Sequence, residues 1–147
     1  MTGPGPLEVT VHIAARPETV FAYFTDPARY TQWMGSHATL DPVPGGAYRV
    51  TMRDGVQAAG EFVEIDPPRR LVFTWGWTDQ FAVAPGSTRV VVTLAEEGGG
   101  TRVVLRHYDL PTEELREHHR GGWETYLPRL AVVATGGRAG PDPNAAS

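Results

Sequence analysis

Leu71-Val72-Phe73-Thr74-Trp75-Gly76-Trp77 is the stretch on which the fold turns. In an extended chain successive side chains alternate between faces, so Leu71, Phe73, Trp75 and Trp77 share one face and Val72, Thr74 and Gly76 take the other. A strand that only has to bury a face seldom commits two tryptophans to it. Trp is large and carries an N–H that needs an acceptor, which makes it an awkward filler. Such an aromatic wall suits two arrangements: one side of a pocket for an apolar or aromatic molecule, or a thick core beneath a helix.

The neighbouring sequence is mostly strand. Pro67-Pro68 stops the preceding segment, Gly60–Asp66, and forces a turn into the aromatic strand. Within Gly60–Asp66 the assignment is unsettled, because Phe62 and the pair Val63/Ile65 fall on opposite faces. Leu7–Ala14 places Val9, Val11 and Ile13 on one face, and Ala47–Arg53 places Tyr48, Val50 and Met52 on one face. Thr88–Leu94 alternates Val90, Val92 and Leu94 against Arg89, Val91 and Thr93. A flexible Glu97-Gly98-Gly99-Gly100 hairpin then leads into Thr101–Asp109, with Val103, Leu105 and His107 on its inner face.

Helices are expected at both ends of this run. Pro17 opens a short helix with Val20, Phe21 and Phe24 as its stripe, and Asp26-Pro27 caps and starts a second that reaches about Trp33. Thr112 caps the longest helix, with Glu113 and Glu114 where the helix dipole favours acids. Leu115, His119, Gly122/Trp123, Tyr126/Leu127 and Leu130 recur at helical spacing along it. Its local propensity is poor: Gly121, Gly122 and Pro128 together cost roughly 5 kcal/mol, so it must lie against the sheet and is expected to bend near Pro128. The fold class is therefore α+β: an antiparallel sheet of six or seven strands, one long C-terminal helix, and two short helices after the first strand. Residues 1–6 and 136–147, rich in Gly, Pro and Ala, are expected to be disordered, leaving 7–135 as a single domain.

Composition excludes several functions. The chain has no cysteine, hence no disulfide or thiolate chemistry, and all 13 basic residues are arginine, hence no Schiff-base lysine. A net charge of −4 without a basic cluster argues against nucleic acid, and no apolar run approaches a membrane span. The N-terminus does not read as a signal peptide, so the cytoplasm is the default location. No phosphate-binding glycine motif, serine elbow or metal-ligand spacing occurs, and neither a cofactor nor a metal is expected. The arginine skew fits a GC-rich genome. The outward arginines Arg49, Arg53, Arg89, Arg102 and Arg106 read as a solvated sheet face, or alternatively as a protein-binding surface.

Several of these segments also form a pattern. Asp26-Pro27 through Trp33-Met34, Gly45-Gly46 with Tyr48, Gly60-Glu61-Phe62 and the run Asp66-Pro67-Pro68-Arg69-Arg70-Leu71-Val72-Phe73-Thr74-Trp75 appear in order. Thr101-Arg102-Val103, Leu105-Arg106-His107, and His119, Gly122, Trp123, Leu127 and Leu130 follow. Across residues 8–135 the chain resembles the branch of the START/SRPBCC superfamily named after the activator of heat shock protein 90 ATPase. The resemblance implies a helix-grip fold, a sheet wrapped around the C-terminal helix with a cavity between them. Related superfamily members bind lipids, sterols, polyketides or other apolar molecules, and some catalyse cyclisation or aromatisation. The eponymous co-chaperone resembles this chain only in its C-terminal domain and adds an N-terminal domain without a counterpart here, so a chaperone partner is not expected.

Within that frame Phe73, Trp75 and Trp77 should face the cavity from one strand, and Tyr48 and Met52 from its neighbour. Trp123, Tyr126 and Leu127 should face it from the helix. The alternative is a filled aromatic core. Trp33 and Met34, where the second short helix gives way to a loop, suit an entrance lid or a plug of the barrel mouth. His107 and His119 could meet across the cavity and orient a ligand or exchange protons near neutral pH. Alternatively, each is satisfied by a neighbouring group. His12 and His118 read as solvated, and His37 has no assignment. The leading expectation is a binding protein for a small apolar or aromatic molecule. The alternatives are a cyclase- or hydrolase-like enzyme, using His107 or His119 with Tyr48 or Tyr126, and a co-chaperone-like interaction module.

Overall fold

A computed structural model describes residues 5–143, so the calls on residues 1–4 and 144–147 lie outside the described residues. The elements are β1 (Leu7–Ile13), α1 (Pro17–Thr25), α2 (Pro27–Tyr30), β2 (His37–Leu40), β3 (Ala47–Arg53), β4 (Val56–Asp66), β5 (Arg70–Trp75), β6 (Thr88–Glu97), β7 (Gly100–Tyr108) and α3 (Glu113–Ala134). The strands form one seven-stranded antiparallel sheet in the order β1-β7-β6-β5-β4-β3-β2, with β1 and β2 at its edges. With α3 closing the chain, this is an α+β, helix-grip-like fold. Among the described residues no helix is long and apolar enough to cross a membrane.

The periodicities carry most of this. Tyr48, Val50 and Met52 are buried from β3, as are Val90, Val92 and Leu94 from β6, and Val103, Leu105 and His107 from β7. The unsettled faces of β4 have a structural cause. Phe62 pairs with Phe73 but Glu64 pairs with Val72, so Val63 is an extra residue at a bulge. Phe62 is thereby fully buried while Val63 is 46% exposed. The seventh strand, β2, supplies the place His37 lacked: it begins the strand, exposed, opposite Thr51.

The aromatic strand is shorter than its sequence pattern. Trp75 pairs with Thr88 as the last rung between β5 and β6, and Trp77 lies beyond the strand in an isolated bridge to Ala58. Past Trp75 the chain keeps its bonds to β4 (Ala59 N–H to Gly76 O, 2.8 Å; Thr78 N–H to Gln57 O, 3.0 Å) but parts from β6. The returning loop presses on Gly76, where a Cβ would stand 1.7 Å from Ala84 O. Only glycine fits there, and the strand ends beside it.

The starts of α2 and α3 follow their caps. The Asp26 carboxylate accepts Ala28 N–H (2.9 Å) at the head of α2, and Thr112 Oγ1 accepts Leu115 N–H (3.1 Å) at the head of α3. The helix α2 stops at Tyr30 rather than reaching Trp33, and α3 runs unbroken through Pro128. Trp123, Tyr126, Leu127, Leu130 and Val133 are buried from α3. At about 1.5–3 kcal/mol each, they outweigh its glycines and proline. Arg116 and Arg120 tie the helix to the Pro6 (3.3 Å) and Glu8 (3.1 Å) carbonyls at β1.

Candidate functional site

The inner face of β5 meets two surroundings. At Phe73 the core is filled: Tyr48 stacks on Phe73 at 4.2 Å between centroids, and Phe62 meets Tyr48 edge-on at 5.8 Å. Tyr30 and Trp33 extend this cluster (4.8 Å), and the hydroxyls of Tyr30 and Tyr48 hydrogen-bond to each other. At Trp75 the packing opens into a cavity of about 590 Å³ between α3, the ends of β3 and β5, and the loop after β5. Its inner wall is Met34, Met52, Trp75, Trp77, His119, Trp123 and Tyr126. Its rim is polar: Arg53, Gln80, Glu117, His118 and Thr125, with Gly121 and Gly122 on the helix side. Arg53 also pairs with Asp79 at 3.3 Å.

Seven of the twelve sequence candidates therefore line one cavity: Met34, Met52, Trp75, Trp77, His119, Trp123 and Tyr126. The other five do not. Tyr48 and Phe73 belong to the filled core. Trp33 is fully buried, with its indole donating to Tyr23 O at 3.0 Å and its ring edge-on to Phe24 at 5.3 Å. Leu127 faces β1, where a smaller hollow of about 260 Å³ lies beside Val9 and Val11. His107 is sealed behind Trp123.

Each of the two histidines accepts a tryptophan N–H. The Trp123 indole donates to His107 Nδ1 at 3.1 Å. That fixes the remaining proton on Nε2, which donates to Thr88 Oγ1 at 2.8 Å, and the Thr88 hydroxyl donates to Trp75 O at 2.7 Å. The Trp77 indole donates to His119 Nε2 at 3.0 Å, so the His119 proton sits on Nδ1 and reaches Leu115 O at 2.8 Å. The two rings stand 5.3 Å apart, edge to face. Burial, and secondarily the neighbouring His119, push the His107 pKa well below 6.5. Burial also lowers that of His119, partly opposed by its bond to Leu115 and reinforced by His118. All four ring nitrogens are engaged within the protein, and both rings are neutral acceptors for the cavity's tryptophans.

Trp75 differs from its neighbours. It is 2% exposed, 5.0 Å from Trp123 and 5.4 Å from Trp77 between centroids, and among the described residues its indole N–H has no hydrogen-bond partner. On the helix side the Tyr126 hydroxyl donates to Asp142 (2.6 Å), which also accepts Gly35 N–H (2.7 Å). Arg129 donates to the Trp33, Ala139, Gly140 and Pro141 carbonyls at 2.9–3.0 Å. The segment after α3, expected to be unpacked, is thus held through Asp142 beside the cavity wall. Thr88 was legible in sequence, being in phase with Val90 and Val92, whereas Asp142 and the rim residues carried no local signal. His118, expected to be solvated, is exposed and also stands at the rim.

Residues 14–135 match the family described as Activator of Hsp90 ATPase homolog 1-like protein. Among solved structures, an AHSA1-like protein from Rhizobium etli is 41% identical with a TM-score of 0.74, over 97% of this chain and 89% of that one. DynU16, a protein from the dynemicin biosynthetic locus, is 26% identical with a TM-score of 0.80; the match covers 95% of this chain but only 51% of DynU16. CalU16 from Micromonospora echinospora is 26% identical with a TM-score of 0.74, over 94% of this chain and 77% of that one. No curated protein matches the chain. The chain belongs to the Activator of Hsp90 ATPase homolog 1-like family.

Proposed function

We propose that this chain binds a small apolar or aromatic molecule in the cavity between α3 and the ends of β3 and β5, and holds it without transforming it. One observation carries the reading: three tryptophans, Trp75, Trp77 and Trp123, wall a cavity of about 590 Å³. That volume falls inside the range of about 300–1,000 Å³ usual for small-molecule sites, and the apolar inner wall with a polar rim is their usual lining. At about −0.3 kcal/mol per heavy atom, a ligand of about 20 heavy atoms gains about −6 kcal/mol, a Kd of tens of micromolar. The likeness to DynU16 supports a ligand drawn from small-molecule biosynthesis.

An acid–base enzyme has less support from the same geometry. His107 lies behind the wall, and both nitrogens of His119 are already bonded within the protein. Native mass spectrometry against fatty acids, flavonoids and fused-ring aromatic ketones tests the binding reading. A one-to-one complex with at least one class, accompanied by saturable quenching of tryptophan fluorescence, is the expected result. Absence of any complex at millimolar ligand would defeat it.

A further inference from the structure

The chain turns back on itself where α3 ends. Gly136 takes a left-handed backbone (φ 94°), and the Gly137 N–H returns to Val132 O at 2.9 Å. From there the chain runs back along the helix it has just left. Arg129 donates to the Ala139, Gly140 and Pro141 carbonyls at 3.0 Å. Tyr126, nearer the helix start, donates to Asp142 at 2.6 Å. Gly140 supplies a second left-handed turn (φ 76°) within this returning segment.

The attachments of the segment are mostly polar. Ala139 packs against the hydrophobic core, whereas residues 136–138, 140, 141 and 143 are exposed. A segment held by hydrogen bonds, with little apolar surface buried, belongs to the least stable part of a fold and opens without the rest unfolding. Gly136 and Gly140 are placed to absorb that motion. A Cβ on either would meet nothing within 4 Å, so close packing locks neither of them.

The same bonds stitch two walls of the cavity together. Asp142 also accepts Gly35 N–H at 2.7 Å, and Arg129 also donates to Trp33 O at 2.9 Å, so the segment ties α3 to residues 33–35. Met34 and Tyr126, on the two sides of this seam, both line the cavity, whereas Arg129 and Asp142 lie outside its lining. We infer that residues 137–143 are a strap that gates the cavity. It swings away about Gly136 and Gly140, frees the seam between Met34 and Tyr126, and opens a way in apart from the polar rim at Arg53 and Gln80. This rests on the proposed binding role and adds a route to it. Such a gate changes how fast a ligand enters and leaves, not how tightly it is held, because strapped and unstrapped forms offer the same lining.

The chain has no cysteine, so Ala139→Cys places a single thiol on the strap of the full-length protein. That thiol is expected to react with N-ethylmaleimide at a rate that low urea leaves unchanged, the sign of a local opening. Asp142→Ala, and Arg129→Gln as a second way of releasing the strap, should each speed the reaction about tenfold. Stopped-flow fluorescence with N-phenyl-1-naphthylamine, an apolar dye, then tests the gate. Asp142→Ala should raise the association and dissociation rates of the dye together, by about threefold or more, with a dissociation constant within about twofold of the parent. A thiol that reacts only in step with global unfolding overturns the inference. So does a faster thiol reaction that leaves both dye rates as they were, or a changed dissociation rate alone, which would make Asp142 part of the wall. In each of these cases dye binding by the parent leaves the cavity reading standing. Absence of dye binding by the parent, with the thiol opening as expected, removes that reading and the gate with it.

Discussion

The indole N–H of Trp77 donates to His119 Nε2 at 3.0 Å, joining the loop after β5 to the N-terminal half of α3 along the cavity wall. Trp77 has no strand neighbour on the β6 side, so this bond replaces sheet pairing in fixing where its ring stands. Trp123 and His107 repeat the device deeper in the protein at 3.1 Å. In both pairs the histidine must be neutral to accept, so the cavity's tryptophans depend on two imidazoles staying uncharged.

Stability should therefore fall as the solution is acidified. Both histidines have folded-state pKa values below the ordinary 6.5. Below that pH the unfolded chain binds protons that the folded chain refuses, so their contribution is complete above 6.5 and lost progressively beneath it. The titratable groups in contact with His119 are His118 on its own helix and His107 on β7, and Glu117 and Arg53 border the same cavity. The slope is at most about 1.4 kcal/mol per pH unit for each histidine. Urea unfolding between pH 8 and pH 5 measures it, and a midpoint that stays level below pH 6.5 would contradict the account. His119→Gln should flatten part of the decline.

Thr88 should matter more than its size suggests. Its hydroxyl takes the His107 Nε2 proton and gives its own to Trp75 O, so it links β5, β6 and β7 behind the cavity. Thr88→Val keeps the shape but leaves a buried imidazole N–H without an acceptor, at a cost of about 1–3 kcal/mol. Thr88→Ser keeps the hydroxyl and should cost distinctly less. Equilibrium denaturation of the two variants makes the comparison, and equal losses would show that packing rather than the hydroxyl is what counts.

Asp142 should protect the opposite wall. Its carboxylate accepts from Gly35 N–H and from the Tyr126 hydroxyl, and Arg129 holds the three residues before it by their carbonyls. Asp142→Ala removes a charge-assisted pair of bonds at a partly exposed site, worth about 1–2 kcal/mol. Hydrogen exchange gives a local readout: the Gly35 amide should lose protection while amides of β6 and β7 keep theirs. Unchanged exchange at Gly35 would show that the segment does not hold there.

The fold was legible because alternation and capping are local, and the strand-forming and helix-forming patterns agreed with one another. Even the ambiguity at Phe62/Val63 was real information, the imprint of a bulge. The candidate site was legible only in part, for a reason visible in β5. Alternation assigned Phe73, Trp75 and Trp77 to one face, yet it could not say that the filled core ends and the cavity begins between Phe73 and Trp75. That boundary depends on how far Tyr30, Trp33 and Tyr48 pile against Phe73, which no local pattern encodes. The costly glycines of α3 were visible in the sequence, but their relation to the cavity was not.

The Tyr30–Tyr48 pair separates hydrogen bonding from packing in that filled half. Both side chains are fully buried, and the two hydroxyls bond to each other. Burial raises both phenol pKa values above 10.0, so neither ionises near neutral pH. Replacing one tyrosine by phenylalanine strands the other hydroxyl in an apolar surround, at about 1–3 kcal/mol, whereas replacing both removes the unsatisfied group. The double variant should thus be more stable than either single one, with a coupling of about 1 kcal/mol or more in a double-mutant cycle. Additive losses in urea unfolding would mean that each hydroxyl has another partner, and the pair would then count only as two packed rings.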